Sequence, residues 1–491
     1  MTPAKLGSSD REFFGALADV VYGNPFSADR AALIVRLAPG AEYGDLTRDP
    51  EALLRVVEPR LAPWRRDAAA RARLAAEDQK LLEPAFLYAS FHYARAPLDA
   101  HIERQARQSG TPLTLPVADD VIGQLLLNGF AEEAAPRYLA LLYQLRRAFY
   151  FIYRALPGAS ESMRRLREAL WNNIFTHDMR GFDAALWNRM EDFSTLLLGE
   201  TGTGKGQAAA AIGRSGFIPY LPESRRFAAN FTETFIAINL SQFPETLIES
   251  ELFGHRKGAF TGAIDHHQGV FERCSAHGAL FLDEIGEVSI PVQIKLLQVL
   301  QDRTFTPIGD REKRRFSGRV IAATNRPLTD LRRQGRFRDD FYYRLCSDVI
   351  EVPTLRQRLA ESAGELELLT RVLLERIAGE HAAALLEQVL DALKRDLPRE
   401  YAWPGNVREL EQAVRRVLLT GHYAPEAAPA AMDADGALMQ KLAAGELTAA
   451  ELLARYSAML HRRLGSYAEV ARRTGLDPRT SRKYVESARS G

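Results

Sequence analysis

One stretch limits this chain more than any other. Leu196-Leu197-Leu198 reads as a short buried strand, and Gly199-Glu200-Thr201-Gly202-Thr203-Gly204-Lys205-Gly206 follows it as a glycine-rich loop with a single lysine. Gln207 to Ile212 then reads as an alanine-rich helix. Strand, G-x-x-x-x-G-K, helix is the order that cradles phosphate. Glycines let backbone N–H groups converge on an anion, and the helix N-terminus adds its dipole. Lys205 is the group that would reach the β- and γ-phosphates. A glycine-rich turn without function can be spelled the same way, and a second run decides between the two. Ala279-Leu280-Phe281-Leu282-Asp283-Glu284 is an apolar strand ending on two carboxylates. Such an end suits an aspartate that helps hold Mg²⁺ and a glutamate that polarises the attacking water. The two runs together predict a nucleoside triphosphate site with Mg²⁺ at Asp283.

At 491 residues the chain has room for about three domains. With Lys+Arg 64 against Asp+Glu 63 there is no global charge bias, so any nucleic-acid contact must come from a local patch. Cys274 and Cys346 are the only cysteines, which excludes a disulfide framework and suggests a reducing compartment. There is no basic-then-apolar leader pattern and no apolar run near the ~20 residues a spanning helix needs. The expectation is a soluble, cytoplasmic protein with no membrane partner.

Residues 1–157 read as a mainly α-helical domain. Pro25, Pro39-Gly40, Pro50, Pro63, Pro84, Pro97, Pro112 and Pro116 punctuate it. From Tyr138 to Leu156 the positions Tyr138, Leu142, Leu145, Phe149, Ile152 and Leu156 step by four and three along one helix face. That helix reads first as an ordinary core helix, and otherwise as one that signals to the nucleotide site or as a dimer seam. His92, between Phe91 and Tyr93, reads as a packed histidine rather than a ligand. The signal this domain senses is not legible.

Leu156-Pro157-Gly158-Ala159-Ser160 reads as a domain boundary, with Ser160 capping the next helix. Helical segments are expected at Glu161–Phe175 and Phe182–Phe193. An irregular stretch from Gly216 to Thr232 precedes the strand Phe235-Ile236-Ala237-Ile238, which ends at Asn239, where open α/β sheets place ligands. Between the Asn239 and Asp283 strands lies Glu249-Ser250-Glu251-Leu252-Phe253-Gly254-His255-Arg256-Lys257-Gly258-Ala259-Phe260-Thr261-Gly262-Ala263. Spacing alone leaves two readings open: a turn with Phe260 packed inward, or a loop that presents an aromatic to a partner.

GAFTGA, preceded by ESELFGH and the GETGTGK loop, resembles the central domain of bacterial enhancer-binding proteins, the AAA+ activators of sigma-54 RNA polymerase. The resemblance reaches about Thr420. It implies an α/β AAA+ core at 158–355 with a parallel sheet, a small helical lid at 356–420, ATP as the nucleotide, and assembly from dimers into a hexameric ring. It assigns Gly258, Ala259, Phe260, Thr261, Gly262 and Ala263 to sigma-54 contact. Asn325, after the strand Val320-Ile321-Ala322-Ala323-Thr324, matches a sensor of the γ-phosphate. Asn239 matches an asparagine that pairs with the catalytic glutamate, here Glu284. Phe337 to Leu345 matches an arginine-finger segment, in which Arg338 and Arg344 would reach a neighbouring subunit's γ-phosphate. Read without the family, those arginines would simply pair with Asp339 and Asp340. In Trp403-Pro404-Gly405-Asn406-Val407-Arg408-Glu409-Leu410, Asn406 and Glu409 have the spacing of a helix cap and its return contact. Arg408 matches a second sensor that binds nucleotide.

The sequence also departs from the family. Gly206 stands where most phosphate loops have Ser or Thr and this family usually has Glu, so metal coordination must lean on Asp283 and water. Phe217–Phe231 looks like an insertion without a role. Residues 421–445 are Ala/Pro-rich and read as a linker. From Leu453 onward there are nine Lys/Arg and three Asp/Glu. Tyr467–Arg473, a turn at Thr474 to Asp477, and Pro478–Ala488 have helix-turn-helix spacing within a domain at 446–491. Arg479, Thr480, Arg482 and Lys483 would face double-stranded DNA, although a basic interaction module fits the same pattern. The family's Fis-type DNA-binding domain implies upstream activator DNA as a partner. The reading that results is a sigma-54-dependent activator. Its rivals are a AAA+ unfoldase, which needs neither GAFTGA nor a terminal helix-turn-helix, and a repressor with a vestigial ATPase, hinted at by Gly206.

Overall fold

The computed structural model describes residues 5–39, 51–108, 110–398, 400–425, 438, 442, 445 and 447–487. Most of the expected linker, and Ala488, lie outside the described residues. The described residues fall into two compact units, 1–392 with 399–419, and 393–398 with 420–491.

The first unit begins with helices α1 (Ser8–Tyr22), α2 (Ala28–Leu37), α3 (Glu51–Arg66), α4 (Ala68–Ala72), α5 (Ala76–Arg107), α6 (Ala118–Leu127), α7 (Ala135–Ala155) and α8 (Glu161–Phe175). Ser160 caps α8, its hydroxyl accepting from the Met163 N–H. The expected helix at Phe182–Phe193 is instead the single turn α9 (Met179–Gly181), a π-helical turn at Phe182–Leu186 and a 3₁₀ turn at Met190–Asp192.

An open sheet follows, with β1 (Thr195–Leu198), β4 (Phe235–Asn239), β5 (Ala279–Asp283), β8 (Arg319–Thr324) and β9 (Asp348–Glu351) in the order β4-β5-β8-β1-β9. Every pairing is parallel. Successive side chains point to opposite faces, so Leu197, Phe281, Ile321 and Ala323 join one core, while Leu196, Leu280, Leu282, Val320 and Ala322 join the other. The second face is covered by α11 (Glu245–Phe253), α12 (Val270–Arg273), α13 (Ile290–Asp302) and α15 (Asp339–Leu345), which contribute Leu252, Phe271, Leu296 and Phe341. A lid of α16 (Leu355–Glu361), α17 (Glu365–Ala378), α18 (Ala382–Asp396) and α19 (Asn406–Thr420) completes the order.

The first face is covered by α8, α7 and α10 (Lys205–Gly213), and one apolar core runs unbroken from Leu139 and Ile152 of α7 to Ala208 and Ala211 of α10. The Phe217–Phe231 insertion is the second half of that contact. It forms a hairpin of β2 (Tyr220–Leu221) and β3 (Arg226–Phe227), and the Phe227 ring stacks on Tyr143 of α7 at 3.9 Å. The Leu115 N–H donates to the Arg225 carbonyl at 3.1 Å, and Asn230 donates to the carbonyls of Gln108 and Gly110. The face of α7 expected from its periodicity is only part of what is buried: Leu139, Tyr143, Arg147 and Phe151, a row stepping by four, are buried as well.

The second unit holds helices Ala449–Leu464, Tyr467–Thr474 and Pro478–Ser487. Thr448 and Glu451 form a reciprocal capping box, and Gly475, at φ +72°, makes the turn before the last helix. Among the described residues no helix is long and apolar enough to cross a membrane.

Candidate functional site: a phosphate loop at the carboxyl edge of the sheet

Strand order decides which groups meet. β1 lies beside β8, and β4 beside β5 with Asn239 in register with Asp283. The loop after β1, Asn325 after β8, the Asp283-Glu284 pair and Asn239 therefore share one edge.

The loop glycines are needed for geometry. Gly204 has φ +107° at the start of α10, and a Cβ on Gly202 would lie 2.2 Å from the Gly405 carbonyl oxygen. Lys205 is buried and donates to the carbonyls of Gly199 at 2.8 Å and Glu200 at 3.1 Å, while Thr203 donates to the Glu200 carbonyl at 2.9 Å. Burial lowers the Lys205 ammonium pKa, and Glu284 and Asp283 act against that shift. Asn325 donates to the Thr201 hydroxyl at 2.8 Å, which joins β8 to the loop.

Glu284 is held in the left-handed region at φ +57°, a strain typical of functional positions. Its Oε2 is buried with no hydrogen-bond partner among the described residues. Burial first, and Asp283 second, raise its carboxyl above the ordinary range. The Asp283 carboxylate accepts from the Glu284 N–H at 3.0 Å. Asn239 does not pair with Glu284 in this structure: its amide oxygen accepts from the N–H and the hydroxyl of Ser241 at 3.0 and 2.7 Å. Gly206 is exposed, and a Cβ there would meet open space.

The lid closes on the loop through residues whose role the sequence did not give. Asn406 is fully buried at φ +53°. Its amide nitrogen donates to Glu200 and to the Thr201 carbonyl, both at 3.1 Å, and its oxygen accepts from the Leu355 N–H at 2.8 Å. It therefore ties three elements together, and Glu409 makes its return contact one residue earlier than expected, accepting from the Gly405 N–H at 2.8 Å, while the Asn406 N–H donates to the Trp403 carbonyl. Glu200 also takes a two-pronged ion pair from Arg356, and this is the main reason its carboxyl is held below the ordinary range. The Arg408 N–H donates to the Gly202 carbonyl at 3.3 Å, which places the expected second sensor beside the loop. Replacing Asn406 by Ala leaves buried polar partners unmade, at about 1–3 kcal/mol. The expected outcome is an earlier urea transition together with weaker ATP binding, read by titration with a fluorescent nucleotide.

Arg338 and Arg344 sit at α15. Arg338 binds Asp340 at 3.0 and 2.7 Å, and Arg344 donates through Nε to the Leu300 carbonyl at 2.9 Å. Within one chain neither makes a hydrogen bond or ion pair with the phosphate loop.

The GAFTGA segment is a loop between α11 and α12. Its base is fixed by His255, which bridges to His267 and Ile308, and by the Arg256–Asp310 pair at 2.7 Å. The Gly258 N–H closes the loop on the Ala263 carbonyl at 2.8 Å. Phe260 is 38% exposed, edge-on to His255, and Ile264 is 75% exposed. Thr261 and Gly262 are exposed and Ala259 half-buried, while Ala263 is buried beneath them. Phe260 is thus not packed inward.

In the second unit Asp477 caps the last helix, accepting from the N–H groups of Arg479 and Thr480 at 3.0 and 3.1 Å. Arg479, Arg482 and Lys483 are exposed and Thr480 half-buried, and Val470, Ala471 and Val485 are buried between the helices.

The family model described as the sigma-54 interaction domain matches residues 182–351. This part of the chain resembles a sigma-54 interaction domain. The AAA+ ATPase lid domain matches residues 360–428. Sequence relatives agree. The chain is 42% identical over 226 residues to the DNA-binding transcriptional regulator NtrC of Azospirillum brasilense, covering 46% of this chain and 43% of the relative. It is 43% identical over 232 residues to the Nif-specific regulatory protein of Azotobacter vinelandii, covering 47% and 40%. The chain spans about half the length of the curated relatives it matches. A crystal structure of NtrX from Brucella abortus in complex with ADP aligns over 80% of this chain and 86% of that one, at 19% identity and a TM-score of 0.42. The matched segment holds the phosphate loop, both carboxylates and the GAFTGA loop. The helices before residue 182 lie ahead of the matched segment.

Proposed function

We propose that this chain is an ATP-driven activator of sigma-54 RNA polymerase, working in the cytoplasm from upstream DNA. The observation that carries this reading is one sheet edge where Lys205, Asp283, Glu284 and Asn325 meet, with an aromatic-tipped loop rising between β4 and β5. Hydrolysis at that edge requires a base, an electrophilic clamp and a metal. Glu284, with its unmatched Oε2, would orient the water, and Lys205 and Arg408 would hold phosphate oxygens. Among the described residues no cluster of three or more His, Cys, Asp or Glu could cage a metal. The oxygen donors present suit Mg²⁺, which takes one or two carboxylates plus phosphates and water. Asp283 would hold it, and the bound ion would neutralise charge developing on the transferred phosphoryl group.

Arg338 and Arg344 would complete the site of a neighbouring subunit in a hexameric ring built from dimers. Phe260 would touch sigma-54 as ATP is cleaved, when Asn239 repartners from Ser241 to Glu284. Gly258 and Gly262 would allow the movement, and Arg479, Thr480, Arg482 and Lys483 would contact DNA. Within this reading residues 1–157 are a regulatory domain, 158–355 and 356–420 the two ATPase subdomains, and 446–491 the DNA-binding domain. Measuring ATP turnover and sigma-54-dependent open-complex formation on the same preparation tests it. Turnover without transcription would favour an unfoldase, and DNA binding without turnover a repressor.

The raised Glu284 carboxyl gives a pH prediction. The base acts as a carboxylate, so turnover falls as pH drops through its pKa. Because that pKa is raised, the fall begins at a higher pH than for an ordinary glutamate. The profile of kcat at saturating ATP checks this, and Glu284→Gln is expected to lose this acidic limb together with the activity.

A further inference from the structure

The helical layer and the segment leading into β1 frame an open cavity of about 580 Å³ that the nucleotide site does not use. That is within the range of small-molecule sites. Its walls come from α1, α5 and α7 on one side and from residues 180–187, including the π-helical turn, on the other. π-Helical turns gather at functional sites. Three rings line it, Tyr22, Tyr138 and Trp187, over an apolar floor that includes Leu81 and Pro84. The Arg137 guanidinium lies 4.4 Å from the Tyr138 ring centroid and 5.6 Å from that of Trp187, and the Arg180 guanidinium lies 5.3 Å from that of Tyr22. Flat π-faces and guanidinium planes side by side form a surface on which a planar ring stacks.

Charge sets the class of ligand. The charged groups of the lining are Lys80, Arg137, Arg180 and Asp183. Asp183 is bound to Arg137 at 2.6 Å, and Arg180 pairs at 2.6 Å with Asp19, outside the lining. Lys80 is exposed at the rim and makes no hydrogen bond or ion pair among the described residues, although Glu83 lies one turn further along α5. We propose that this cavity binds a small organic anion with a planar ring, the ring stacked among Tyr22, Tyr138 and Trp187 and the carboxylate on Lys80. The site adjoins the ATPase directly. Trp187 packs edge-on against Phe217 at 4.6 Å, where the insertion begins, and the chain after Trp187 runs into β1. An occupant is therefore an effector of ATP turnover, a consequence that rests on the proposed function, whereas binding does not.

The experiment is calorimetric titration of the full-length protein with indole-3-acetate, indole-3-acetamide and tryptamine, which carry the same ring with a carboxylate, a neutral amide and an amine. The expected result is saturable binding of the carboxylate with Kd below about 1 mM and binding of the other two at least about tenfold weaker. Lys80→Gln is expected to cost about tenfold or more, the loss of one charge-assisted hydrogen bond. Gly15 lines the cavity, and a Cβ there meets no atom within 4 Å. Gly15→Phe should thus project a ring into the space and abolish binding with the melting temperature maintained. Equal affinity for the amide, binding that survives Gly15→Phe, or no binding of the carboxylate up to about 10 mM overturns the proposal. Turnover with and without saturating indole-3-acetate is read separately: a change supports the effector role, and no change removes that role without touching the binding site.

Discussion

Protein carrying Arg344→Ala is expected to bind ATP with near wild-type affinity and to hydrolyse it about 10³–10⁵-fold more slowly. In the single chain Arg344 commits only Nε, to the Leu300 carbonyl, and is otherwise exposed. Its two terminal nitrogens make no hydrogen bond or ion pair among the described residues. A guanidinium in that state can grip a partner's γ-phosphate in two-pronged fashion. Arg338 starts from a different position, with both prongs on Asp340, so its use would first require that pair to open. The check is a mixture of Arg344→Ala and Glu284→Ala protomers. Neither turns over alone, yet together they pair an intact finger with an intact base at some interfaces, so part of the activity should return. No recovery at any ratio would mean that each chain carries a self-contained site.

Arg147→Ala is expected to lower the first urea unfolding transition by about 3 kcal/mol or more, since it strands buried carbonyls and leaves a cavity. Arg147 is fully buried and donates to the Arg214 and Gly216 carbonyls, both at 2.6 Å, while Gln144 donates to that of Ser215 at 3.0 Å. These carbonyls are at the C-terminal end of α10, where a cation also meets the negative end of the helix dipole. Burial lowers the pKa of Arg147 to about 10, and its guanidinium lies over the Tyr143 ring. Lys205 opens the same helix. A looser α10 should thus weaken nucleotide binding as well, measured by titration on the folded variant below its transition. Unchanged ATP affinity in a destabilised variant would make the helical layer a scaffold only.

What was legible in the sequence was what short segments state for themselves. The strand-loop-helix around Lys205 and the strand ending at Asp283-Glu284 are local patterns, and the sheet places them as expected. The contacts that were missed join residues far apart in the chain. Nothing near Phe217–Phe231 says that its ring at Phe227 will stack on Tyr143, and nothing near Asn406 says that its amide will reach Glu200. The periodicity of α7 marked one face because Arg147 and Gln144 read as polar, although both are buried against α10 carbonyls. Phe182–Phe193 has a helical composition, but its backbone follows the cavity wall and the entry to β1 as π and 3₁₀ turns.

Hydrolysis and output separate most directly at Phe260. The GAFTGA loop has its base fixed by His255 and the Arg256–Asp310 pair and its tip exposed. Purified wild-type and Phe260→Ala proteins are compared for ATP turnover, for sigma-54 capture under a transition-state nucleotide analogue, and for open-complex formation. Phe260→Ala is expected to keep most of its turnover and ring assembly while sigma-54 capture and open complexes fall to background. Wild-type open-complex formation by Phe260→Ala would contradict this expectation.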